Sequence, residues 1–168
     1  MVDRAELDAL RREVTAAFAS VPRPDLSSVR PLGCCEEHEP DFQWYRQHSR
    51  QELAEGLPSG RFDPFDFANL NPAAYHYFVP GILLATLDSI GETPAAPDLW
   101  ERDWVGALLP LKKSTERFIR DYLPLFDSRQ RKAVASQLEL FNGWLSETRG
   151  YGDADIERAA SQVWRRET

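Results

Sequence analysis

The sequence predicts an all-α protein: one irregular single-domain bundle of five to seven helices, built around a central helix kinked at Pro80. Three observations carry this expectation. Apolar residues recur at spacings of three and four along most of the chain, and no segment shows the strict alternation of a half-buried strand. Capping residues such as Asp3, Asn71 and Asp127 stand just ahead of these stretches, with Gly or Pro behind them. The 168 residues, 42% of them hydrophobic and 11% aromatic, can form one domain with a substantial core. A chain near this length buries roughly 70% of its unfolded surface.

The first helix spans residues 3–20, with Leu7, Leu10, Val14 and Phe18 as its apolar stripe behind Asp3. "SVPRPDLSSVRPLG" holds three prolines and Gly33 and reads as a connector. A second helix is expected from about Pro40 to Gly56, turning Phe42, Tyr45 and Leu53 inward with Trp44 beside them. "LPSGRFDPFDFANLNP" reads as loop, pinned to the core by its three phenylalanines.

The central helix opens on Asn71 as cap and Pro72 in the first turn. From Tyr75 to Ile90 its apolar residues cover nearly the whole circumference, which marks a buried helix. Pro80 cannot donate to the carbonyl of His76, so a kink is expected there, and Gly81 lets a neighbouring helix approach the bend. Beyond a loop, "DLWERDWVGALL" opens with a capping-box pattern, Asp98 to Glu101, and sets Trp100 and Trp104 on one face. A short helix follows and ends before Pro124, with Phe118, Ile119 and Tyr122 inward. The clearest helix starts at the Asp127–Gln130 capping box, carries Val134, Leu138, Phe141 and Leu145 at helical spacing, and ends at Gly150. A last short helix runs from Asp153 to Arg166, anchored by Ile156, Val163 and Trp164.

The formal charge is −7 at pH 7, unevenly spread. Residues 1–108 hold nine Lys and Arg against eighteen Asp and Glu, whereas residues 109–168 hold eleven against nine. An acidic field of this kind repels phosphate backbones and attracts basic partners, so nucleic acid is not an expected partner. The basic clusters Lys112–Lys113 and Arg129 to Lys132 have acids nearby and read as solvated helix faces. The longest mostly apolar run, "FVPGILLATL", is ten residues, about half of a membrane span, so no membrane partner is expected. The two cysteines are adjacent and can close no disulfide framework, and the N-terminus lacks the apolar core of a signal peptide. A soluble, cytoplasmic protein is the expectation.

The segment "LNPAAYHYFVPGILLATL", followed by "FDSRQRKAVASQLELF", resembles an uncharacterised bacterial family of helical proteins of unknown function. Members of that family pair a Pro-x-Ala-Tyr-x-Tyr-aromatic-x-Pro segment with a later helix that opens on Gln-Arg and continues through Ala-Val. The resemblance covers roughly residues 62–145. It implies a bacterial source, a helical fold and a core built on Tyr75, Tyr77, Phe78 and Pro80, and it implies no catalytic residue.

The densest set of potential ligands is "CCEEHEPD". Cys34, Cys35 and His38 lack the second spaced pair that a structural zinc site needs, so no metal and no cofactor is expected. His76, flanked by Tyr75 and Tyr77 one turn before Pro80, is the other candidate, but no nucleophile or acid is placed beside it by the sequence. It reads as a satisfied core histidine, and no residue is assigned a catalytic role. The sequence contains no nucleophile elbow, Walker loop, dinucleotide fingerprint or zinc-protease motif.

The functional expectation is therefore a non-catalytic, protein-binding chain, an immunity or antitoxin-like inhibitor of a basic protein partner. Its contact surface is expected at Glu36, Glu37, Glu39, Asp41, Asp98, Glu101 and Asp103. The alternative is an enzyme or small-molecule binder with a pocket at the Pro80 kink, using Tyr75, His76 and Tyr77.

Overall fold

Five of the described helices begin where a side chain satisfies one of the first free amides, and most of these starts are the ones the sequence advertises. The computed structural model describes residues 3–29, 39–57, 67, 69–92, 105–106, 108–110, 115–150 and 152–166. Among them the chain forms seven α-helices and no strand, an all-α bundle. Helix α1 (Arg4–Ala17) is capped by Asp3, whose carboxylate accepts from the amide of Ala5 at 3.0 Å. It buries Leu7, Leu10 and Val14, the stripe read from the sequence.

The single helix expected from Pro40 to Gly56 is instead two, α2 (Glu39–Gln47) and α3 (Arg50–Gly56). The reason is a capping box that competes with helix continuation. The amide of Glu52 donates to Ser49 Oγ at 3.2 Å, and the amide of Ser49 donates to the Glu52 carboxylate at 2.7 Å. On the other side of the break, Arg23 Nη2 donates to the carbonyls of Arg46 and His48, at 3.1 and 3.2 Å, so the exposed end of α2 is satisfied too.

Helix α4 (Pro72–Glu92) is 21 residues long and runs without interruption through Pro80. Asn71 caps it, its side-chain oxygen accepting from the amide of Ala74 at 2.9 Å. Tyr75, Phe78, Val79, Ile82, Leu83, Ala85 and Leu87 are all buried, so α4 is enclosed on nearly every face. It packs against α1, α3 and the long helix Ser128–Arg149. Gly81 permits the closest of these approaches. A Cβ there would lie 2.6 Å from the backbone oxygen of Arg50, so only a residue without a side chain lets the backbone of α3 come so near.

Helix α5 (Thr115–Asp121) leads into a 3₁₀ turn, Leu123–Leu125, with Pro124 inside it. Helix α6 (Ser128–Arg149) starts on the Asp127–Gln130 capping box and ends at Gly150, whose φ of 78° suits a residue without Cβ. Helix α7 (Ala154–Arg158) continues into a π-helical turn, Ala159–Trp164, which lies against α6.

Aromatic rings join the separate segments. Tyr75 lies at the hub, with ring centres of Phe67, Tyr122 and Phe118 at 4.8, 5.3 and 5.7 Å. Trp164 closes the cluster against Phe126 at 5.0 Å and Phe118 at 5.4 Å. The polar tips of these rings reach backbone carbonyls: Tyr122 donates to Leu70 at 2.8 Å and Trp164 to Leu108 at 3.1 Å. Among the described residues, no helix is long and apolar enough to cross a membrane. The helix expected at Asp98, with Trp100 and Trp104, lies outside the described residues.

Candidate functional site

Two environments meet α4 within one turn of each other: a polar joint at His76 and an open groove at Pro80. The joint is built on the end of α1. The last turn of α1 has no basic residue to meet its free carbonyls, so distant side chains supply donors. Gln130 Nε2 donates to Ala17 at 3.1 Å, and Arg50 Nη1 donates to Phe18 at 3.0 Å. The side-chain oxygen of Gln130 also accepts from the amide of Asp127 at 3.1 Å, which fixes the orientation of its amide group. His76 Nε2 lies 3.0 Å from that same oxygen and must therefore carry the hydrogen.

The imidazole is half-buried between Phe126 and Phe18, with ring centres 4.5 and 6.1 Å away. Burial lowers its pKa below the ordinary histidine value, against the opposing effects of Gln130 and Asp127. The joint thus disfavours the charged form of an imidazole that links α4 to the start of α6. Tyr75 is enclosed by the aromatic cluster, and burial pushes its phenol far up. Tyr77 lies beneath Arg50, whose guanidinium carbon is 5.3 Å from the ring centre.

The groove has a volume of about 350 Å³ and is lined by three helices. Helix α4 contributes Pro80, Gly81, Leu84 and Asp88. Arg11 and Thr15 of α1 lie on one side with Phe18 just beyond that helix, all at the spacing of one helical face. Helix α3 supplies Arg50, Gln51, Ala54 and Glu55. Pro80 and Gly81 lie in the α4 wall of the groove, next to the close contact that α3 makes with Gly81. Its charged groups are unequal. Arg11 and Asp88 form an ion pair with each other, and Glu55 accepts from Gln51 Nε2 at 3.0 Å. Arg50 is held by a neutral carbonyl and an aromatic ring, and no carboxylate among the described residues pairs with it.

The groove therefore sits at Pro80, where the sequence reading placed its alternative pocket, but its lining is different. Tyr75, His76 and Tyr77 are turned into the core and the joint, and Arg11, Arg50, Glu55 and Asp88 take their place. Those four were invisible as a set because they come from three helices. The adjacent Pro80 and Gly81 were the available signal. Of the expected acidic contact residues, Glu39 and Asp41 fall on the first turn of α2. Glu36, Glu37, Asp98, Glu101 and Asp103 lie outside the described residues, as do Cys34, Cys35 and His38. Among the described residues no group of three or more His, Cys, Asp or Glu is placed to hold a metal ion. No protein-family model, no curated protein and no solved structure matches the chain.

Proposed function

We propose that the chain acts by binding another protein, without catalysis, as an immunity or antitoxin-like inhibitor of a basic partner in a bacterial cytoplasm. The observation that carries this reading is the charge distribution: residues 1–108 hold eighteen acids against nine bases. An inhibitor needs no catalytic group, and complementary charge speeds its encounter with a basic target. The commitment of His76 to the joint supports the same reading, because the most suggestive histidine of the chain is occupied in holding α4 to α6. The resemblance of residues 62–145 to a bacterial helical family supports the source. The test is association kinetics with a captured partner at two salt concentrations. Reversing Glu36, Glu37, Glu101 and Asp103 to Lys is expected to slow association and flatten its salt dependence while leaving thermal stability nearly unchanged. Unchanged association of the reversed protein would overturn the reading.

A second reading is favoured by one specific observation, the groove at Pro80 and Gly81. At about 350 Å³ it falls within the size range of small-molecule sites and combines an apolar floor with a few charged groups. In this reading the chain binds a small ligand there, and soaking with fragments while following the amides of Ala54 and Leu84 by NMR is the test.

A further inference from the structure

We infer that the groove between α1, α3 and α4 binds a small monocarboxylate with an apolar body, such as a medium-chain fatty acid, through Arg50. This rests on the small-molecule reading of the groove and names the chemistry it selects. The floor formed by Phe18, Ala54, Pro80 and Leu84 is hydrocarbon and calls for an apolar body. Specificity then falls to the charged groups, and the structure distinguishes among them. Arg11 and Asp88 neutralise one another. Arg50 does not share in such a pair: its guanidinium is half-buried, steadied by the Phe18 carbonyl and the face of Tyr77.

A guanidinium presents five N–H donors in a planar fork that matches a carboxylate. One bond to Phe18 positions the fork and leaves most of the donors for a ligand. Of the two acids of the lining, Asp88 and Glu55, the second sets the limit on ligand charge. With Arg11 and Asp88 paired, Arg50 and Glu55 are the charges left, so a dianionic phosphate meets the repulsion of Glu55 with two negative charges and a single carboxylate with one. The Arg50 tie also positions the ligand-binding group, because it anchors the guanidinium to the end of α1 while α3 carries its backbone against Gly81.

The experiment titrates the full chain with octanoate, 1-octanol and octyl phosphate, by calorimetry and by NMR of the groove residues. Octanoate is expected to bind at least tenfold more tightly than 1-octanol and than octyl phosphate, with shifts at Ala54 and Leu84. Arg50→Gln is expected to weaken octanoate at least tenfold and to leave 1-octanol unchanged. Thr15→Trp, which changes an exposed residue of the lining, is expected to abolish binding of all three, and it serves if Arg50→Gln does not fold. Equal binding of octanoate and 1-octanol, or tighter binding of octyl phosphate, would overturn the carboxylate assignment and leave the groove reading in place. Binding of none of the three, or binding unaffected by Thr15→Trp, would overturn the groove reading itself.

Discussion

His76 and Pro80 are one turn apart on the same helix, yet the surroundings of the two residues are opposite in kind. At the joint one side chain ties several polar groups: Gln130 serves Ala17, Asp127 and His76 together, and the capping box starts α6 on the spot. At the groove Arg50 keeps most of its donors, and the surface is shaped by residues that lack side-chain bulk or amide hydrogen. The contrast teaches how one buried helix can be locked and accessible at once. Hydrogen bonding through Gln130 fixes its position at His76, while at Gly81 the missing side chain admits the backbone of α3 and the groove lies beside that contact.

The largest expected effect breaks the joint. Gln130→Ala removes a buried donor from Ala17 and two acceptor contacts, and it should destabilise the protein by about 3 kcal/mol, since each lost bond is worth roughly 1 kcal/mol and an orphaned buried carbonyl costs more. Urea denaturation followed by circular dichroism checks this. A loss no greater than that of an ordinary surface substitution would show that the joint does not hold α4.

Next in size is Gly81→Ala. Helix propensity alone favours alanine by about 1 kcal/mol. Here the added methyl would stand 2.6 Å from the Arg50 oxygen, so a net destabilisation of about 2 kcal/mol is expected from overpacking. A thermal midpoint that rises would mean that α3 stands off from α4. Ser49→Ala tests the other wall of the groove. Losing the capping box should cost about 1 kcal/mol and weaken ligand binding in the groove, while the His76 resonances that report on the joint stay unchanged.

The smallest effect is a pH dependence. Because burial lowers the folded pKa of His76 below its ordinary 6.5, the stability tied to its neutral form is complete above that pH. It declines as the pH falls beneath that value toward the folded pKa. His76→Phe should therefore flatten the stability profile on the acid side of about pH 6.5, where unfolded histidines take up protons. Chemical denaturation at a series of pH values, compared with the parent, reads this directly. An unaltered slope would show that other groups carry the acid sensitivity.

Much of this architecture was legible because it is local. Asp3, Asn71, Asp127 and Gly150 mark their helix ends through bonds spanning a few residues, and the apolar periods of α1, α4 and α6 report burial without reference to any neighbour. The break between α2 and α3 was legible in principle, since Ser49 and Glu52 have capping-box spacing. It was missed because the apolar pattern of Phe42, Tyr45 and Leu53 continues across it.

The sequence by itself determined that the protein is helical, where most helices start and stop, that residues 72–92 are central, and that Gly81 admits a close neighbour. Only the tertiary structure decided which side chains serve the free end of α1. Gln130 lies 113 residues from Ala17 and Arg50 lies 32 from Phe18, separations at which no periodic pattern speaks. It likewise decided that Pro80 faces arginines rather than His76 and the tyrosines, because a groove shared by three helices depends on their mutual rotation. That rotation is fixed by packing, through the close contact at Gly81 and the aromatic cluster around Tyr75, and not by the local preferences that a sequence displays.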